Sequence, residues 1–184
     1  DTQHPVIAAE LSGGAATSVY GYLGNALQLR ADGCGTPLTI LCCDNIRANG
    51  KMLNRNFLAY LDASGRQELA SWVQKNVTFP CSMVDRITPR ATDVLSTEIA
   101  RKFPGQTLAP IHAESFTQWV IEDNFAGPMP DLSIADAQIV ADVDPFEEAK
   151  IRILNGGHSG LCYLGALAGH QTFDQAMCDP KLRK

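Results

Sequence analysis

The chain has 184 residues, 45% apolar and 19% charged, which is enough to bury a core and too apolar for a disordered segment. A net charge of −5, with lysines and arginines scattered singly, gives no footing for nucleic acid. No apolar run reaches membrane-spanning length and no leader pattern opens the chain, so the sequence reads as cytoplasmic, with no membrane partner.

In chain order, Ser18 caps an amphipathic helix over 18–30 that Gly33 closes. Pro37 to Cys43 is a solid apolar run, the pattern of a strand buried on both faces, and Asp44-Asn45 ends it. Helices follow over 51–61 and 66–76, with Gly65 between them. Val77 to Pro89 reads as irregular and proline-bounded, and Thr92 caps a helix to Phe103. Strands are predicted over 107–113, 116–122 and 134–143, with Gly127-Pro128-Met129-Pro130 as a break. Asp144 then caps a long helix, with Pro145 first and Glu147 completing a capping box. It runs to Ala168, with Leu161, Cys162, Leu164, Ala166, Leu167 and Ala168 as a buried continuation, and Thr172 starts another helix.

Strands alternating with helices indicate an α/β layer structure. The residues after Val143 are all helical, which sets a domain boundary between 143 and 144. Six cysteines, Cys34, Cys42, Cys43, Cys81, Cys162 and Cys178, form no C-x-x-C pair. Their spacing predicts free, mostly buried thiols of a reducing compartment and no metal site.

The stretch from Glu147 to His158 carries the most chemistry. With Lys150 at zero, about 100° per residue puts Glu147 near ~60°, His158 near ~80° and Asn155 near ~140° on one helix. Polar groups on an otherwise apolar element need partners or do work, and a lysine so placed can act as a general base. The plain alternatives are a surface Lys150 paired with Glu147 or Glu148, a Glu147 that only caps, and a structural His158. Gly156-Gly157 costs the helix roughly 1 kcal/mol per glycine, which predicts close backbone approach there. Asn45 lies at the carboxyl end of the best strand, where α/β sheets bind ligands, although Asp44-Asn45 can equally form an Asx turn. Asp85-Arg86 reads by itself as a solvated ion pair.

Some patterns mislead. His112-Ala113-Glu114 lacks the P-C-x-x-C of zinc deaminases. Gly13-Gly14 and Gly33-x-Gly35 do not open a helix after a strand, and no G-x-S-x-G occurs.

Lys150-x4-Asn155-x2-His158 resembles the catalytic signature of the long-chain mannitol dehydrogenase family. Val84-Asp85-Arg86-Ile87-Thr88-Pro89, Cys43-Asp44-Asn45 with Asn49-Gly50, and Gln118-Trp119-Val120-Ile121-Glu122-Asp123 are similar to further motifs of that family. The resemblance covers nearly the whole chain. It implies a metal-independent oxidoreductase that interconverts a polyol and a ketose with NAD or NADP. Lys150 would be the general base, Asn45 and Asn155 would donate to the developing alkoxide, and His158 would bind substrate hydroxyls. Glu147 would help pass the proton to water, and Asp85 would lie at the substrate or nicotinamide end.

The implied fold is the second half of a Rossmann-like NAD(P)-binding domain (1–143) followed by the start of a helical substrate domain (144–184). The family's Gly-rich dinucleotide loop has no counterpart in the sequence, so the chain reads as an internal piece of a longer protein, compatible with a monomer. Glu114-Ser115-Phe116 stands where many relatives have Glu-Pro-Phe, which leaves the substrate open. A sugar-acid reductase of the fructuronate type and a binding domain without turnover are the alternatives.

Overall fold

Helix starts and stops follow the local chemistry of the sequence. In a computed structural model, which describes residues 3–183, helix α1 spans Pro5–Leu11 and helix α2 spans Val19–Asp32. Ser18 caps α2 by accepting from the Gly21 N–H, and Gly33 ends it. Helices α3 (Asn49–Ala63) and α4 (Gln67–Asn76) are separated by Gly65, whose φ of +73° is the left-handed turn that glycine adopts without strain. Thr92 caps α5 (Asp93–Lys102) through the Leu95 N–H, as its position predicts.

Two sheets form. Strand β1 (Leu38–Thr39) pairs in parallel with β2 (Val77–Thr78). In the second sheet β3 (Ser82–Asp85) runs antiparallel to β4 (Gln118–Glu122), which runs parallel to β5 (Ala137–Val140). Leu27, Phe57, Tyr60, Leu61, Leu69, Val73, Val77 and Phe79 close the main core between α2, α3, α4 and β2. A buried carboxylate ties this layer together. Glu10 of α1 accepts from the Thr17 and Ser18 backbone N–H groups, from the Ser18 hydroxyl at 2.7 Å and from the Tyr60 hydroxyl at 3.2 Å. Burial alone would raise its carboxyl pKa, but the donors of Thr17 and Ser18 outweigh it and hold the group at about 2.

Several expectations need correction. The run Pro37 to Cys43 contributes only Leu38–Thr39 to a ladder and stays half-exposed, because β1 has a single neighbour among the described residues. Val77 to Pro89 is not irregular: it holds β2 and β3, the latter created by pairing with β4. Residues 107–113 form no strand; Pro110 within the run lacks a ladder donor, and Ile111 is exposed. The strand expected over 134–143 begins as a 3-10 turn, Leu132–Ala135, before β5.

The structure divides into two units, one up to Ala141 and one from Asp142. Among the described residues the regular elements of the second are all helical: α6 (Asp144–Ala149), a π segment (Lys150–Asn155), α7 (Gly156–Leu167) and α8 (Phe173–Cys178). Asp144 is the first residue of α6 and not its cap; the Asp142 carboxylate accepts from the Asp144 N–H at 3.0 Å. The predicted capping box is absent, and Glu147 is buried. Cys162, Leu164, Ala166, Leu167 and Ala168, expected to be buried, are exposed. All six thiols are free, but only that of Cys81 is buried. Among the described residues no helix is long and apolar enough to cross a membrane.

Candidate active site

The helical unit carries the lysine. Lys150 and Glu147 keep only 7% and 6% of their accessible surface, whereas Glu148 forms an ion pair with Arg152 on the exposed side. Lys150 is therefore not a surface lysine. Asn155 and His158 are exposed, open to a small molecule.

The helix is continuous from Asp144 to Leu167 but does not wind uniformly. At its π segment the Gly156 N–H reaches the Ile151 carbonyl, five residues back. Five-residue hydrogen bonding draws Asn155 toward the Lys150 face, whereas uniform α winding would leave the two about 140° apart. Such insertions occur often at functional sites. Gly156-Gly157 stands where α geometry resumes. An added Cβ at Gly157 would meet nothing within 4 Å, so the expected close backbone approach is not found among the described residues.

The His158 ring stacks on Phe173 of α8, with centroids 4.0 Å apart and planes 11° from parallel. Small residues allow this. An added Cβ at Gly165 of α7 would lie 2.7 Å from the Ala176 Cβ of α8. His170 Nε2 and Asp179 Oδ2, 3.0 Å apart, tie the far end of α8 back, and this hydrogen bond holds the Asp179 carboxyl below its ordinary range.

The first unit carries the strand-end residues. Asn45 is exposed at the apex of a three-residue turn in which the Asp44 carbonyl accepts from the Ile46 N–H at 2.9 Å. Asp85 is half-buried at the end of β3, opposite Gln118. Between these two segments lies Asn49, fully buried. Its Nδ2 faces the carbonyls of Cys42 (3.0 Å), Asp44 (3.0 Å) and Ser82 (2.8 Å). Its Oδ1 accepts from the Gly50 N–H (2.8 Å) and the Ser82 N–H (2.9 Å). The Ser82 hydroxyl adds a bond to the Cys42 carbonyl at 2.6 Å. Sequence reasoning gave Asn49 and Ser82 no such role; the one local signal was an asparagine immediately before glycine at a helix start. Burial pushes the Cys81 thiol up, and partial desolvation beside Cys42 and Asp44 pushes that of the more exposed Cys43 up, so neither is an activated nucleophile.

Lysine, asparagine amides and imidazole suit proton transfer at a hydroxyl and hydrogen bonding to an alkoxide, the substrate side of a nicotinamide reaction. They do not suit a diphosphate. The glycines at positive φ, Gly13, Gly35, Gly65, Gly105 and Gly169, stand nowhere between a strand and the helix that follows it. Among the described residues no group of three histidines, cysteines or carboxylates could hold a metal.

Residues 6–134 match the family described as the mannitol dehydrogenase Rossmann domain, and residues 142–184 match the mannitol dehydrogenase C-terminal domain. The chain is 45% identical over 179 residues to D-arabinitol 4-dehydrogenase of Ralstonia nicotianae, covering 97% of this chain and 38% of that protein. It is 44% identical to D-mannonate oxidoreductase of Escherichia coli, covering 100% of this chain and 38% of that protein. The solved ternary complex of Pseudomonas fluorescens mannitol 2-dehydrogenase with NAD and D-mannitol superposes with a TM-score of 0.82 at 32% identity. That match covers 99% of this chain and 37% of the other. The chain thus spans less than two fifths of the length of these relatives. Its fold is α/β: part of a Rossmann-like domain followed by the start of a helical C-terminal domain.

Proposed function

The chain belongs to the mannitol dehydrogenase family, and from that premise we propose that it carries the proton-transfer machinery of an NAD- or NADP-linked polyol dehydrogenase. The observation that carries this reading is Lys150. It is a buried lysine at the start of a π segment, in the spacing Lys-x4-Asn-x2-His. A lysine withdrawn from water serves no solvating purpose and is suited to exchanging a proton with a substrate hydroxyl.

In the proposed reaction Lys150 accepts the hydroxyl proton of the polyol as the carbinol carbon is oxidised to the ketone. The dinucleotide, when bound, supplies the hydride acceptor. Asn45 and Asn155 donate hydrogen bonds to the oxygen as it gains negative charge, each worth on the order of 3 kcal/mol in the transition state. His158, its ring plane fixed by Phe173, binds a neighbouring substrate hydroxyl. Glu147, buried one helical turn before Lys150, passes the proton onward to water. Asp85 lies at the substrate or nicotinamide end. Residues 1–143 are assigned to the nucleotide-binding domain and 144–184 to the substrate domain.

The similarity to a D-mannonate oxidoreductase supports a second reading, a sugar-acid substrate, which needs a cationic contact for the carboxylate. Steady-state assays of the full-length protein with D-arabinitol, D-mannitol and D-mannonate, each with NAD and NADP, test the proposal. Turnover of a neutral polyol supports it, turnover of mannonate alone favours the sugar-acid reading, and turnover of none refutes both.

A further inference from the structure

The polar side chain best placed to act on the candidate site without touching substrate is Asn49. Every hydrogen bond it makes outside its own helix start goes to a segment that carries a candidate residue. The Cys42 and Asp44 carbonyls belong to the stretch that ends at Asn45, and both backbone groups of Ser82 open the strand that ends at Asp85. The Asp44 carbonyl is also the acceptor that closes the turn around Asn45, so one oxygen is held by the Ile46 N–H and by the Asn49 amide together. The orientation of the amide is fixed: its oxygen faces two N–H donors, a place its nitrogen cannot take. The chain enters α3 through Ala48 at φ +49°, a left-handed conformation that alanine holds only where its surroundings impose it.

We propose that Asn49, assisted by Ser82, is a positioning residue for the reaction: it sets where the Asn45 amide stands relative to β3, and so how well Asn45 meets the developing alkoxide. This inference rests on the reading of Asn45 as a hydrogen-bond donor. A displacement of about 1 Å in such a donor can cost on the order of 100-fold in rate. Asn49 reaches no substrate; its effect passes through Asn45.

The test is a double-mutant cycle in the full-length protein, with kcat for polyol oxidation normalised to folded enzyme. Asn49→Ala is expected to lower kcat by on the order of 100-fold while the KM for the dinucleotide stays within about twofold. In an Asn45→Ala background the same change is expected to cost less than about twofold further, because the group it positions is gone. Ser82→Ala removes the hydroxyl's bond to the Cys42 carbonyl and the 3.4 Å bond it accepts from the Asn49 amide, keeps both Asn49 bonds to the Ser82 backbone, and carries the same cycle if Asn49→Ala does not fold. Its expected loss is about tenfold alone and is likewise abolished without Asn45. Independent, multiplying losses overturn the positioning role while leaving Asn45 as a donor. Unchanged kcat in Ser82→Ala alongside a loss in Asn49→Ala that persists without Asn45 does the same. Near-normal kcat in Asn45→Ala alone overturns the donor reading and the positioning role with it.

Discussion

Gly50 is the position where one added methyl group should do most damage. It is buried in the first turn of α3, against the segment that leads into β3. A Cβ built there lies 2.4 Å from the Phe79 carbonyl oxygen, 2.4 Å from that of Pro80 and 2.6 Å from the Pro80 carbonyl carbon. Ordinary contact begins at 3.4 Å, so Gly50→Ala requires a separation of about 1 Å between backbones that cannot rotate out of the way. Overpacking of this kind costs about 1–3 kcal/mol. The same separation stretches both bonds between the Asn49 side-chain amide and the Ser82 backbone, now 2.8 and 2.9 Å, each worth about 1 kcal/mol. The expected loss is therefore about 3–5 kcal/mol. Trp72 and Trp119 both lie in the first unit, so urea unfolding of the 184-residue chain followed by tryptophan fluorescence reports on that unit. At about 1–3 kcal/mol per molar urea the midpoint should fall by at least ~1 M. Gly127→Ala, where an added Cβ meets nothing within 4 Å, is the control and should change stability by less than about 0.5 kcal/mol. Equal midpoints for the two variants would refute the steric reasoning.

Two further outcomes are expected. The Glu10 carboxyl, about 2 in the folded chain against an unperturbed 4.5, stabilises fully above pH ~4.5, and that contribution is lost as pH falls from there toward 2. Urea midpoints of wild type and Glu10→Gln should therefore differ most above pH 4.5 and converge toward pH 2; a constant difference would dissociate Glu10 from acid sensitivity. Phe173→Ala removes the stack under His158, worth about 0.5–1.5 kcal/mol, and should raise the KM for polyol between about twofold and tenfold with kcat little changed. An unchanged KM would show that the stack does not hold His158 for substrate.

What could be read in the sequence was local. Ser18 with Gly33, Gly65, and Thr92 announce their helices because capping and left-handed turns are decided within a few residues. Strand β3 could not be read, because residues 82–85 become a strand only by pairing with residues 118–122. The family resemblance was legible in the Lys150, Asn155 and His158 spacing. The winding that relates the three was not, since α and π turns share nearly the same local sequence preferences. Asn49 shows the same limit from the other side: its partners Cys42 and Asp44 are close in sequence, but Ser82, which makes it a tie between segments, is 33 residues away. The exposure of Leu164 and Leu167 was missed because apolar side chains on a helix predict burial without saying what covers them.

Lys150→Ala in the full-length protein tests the central claim most directly. With D-arabinitol or D-mannitol and saturating dinucleotide, kcat at neutral pH should fall by on the order of 10²–10⁴, the contribution of a positioned general base, while dinucleotide affinity measured by titration stays unchanged. Near-normal turnover at neutral pH would contradict the account.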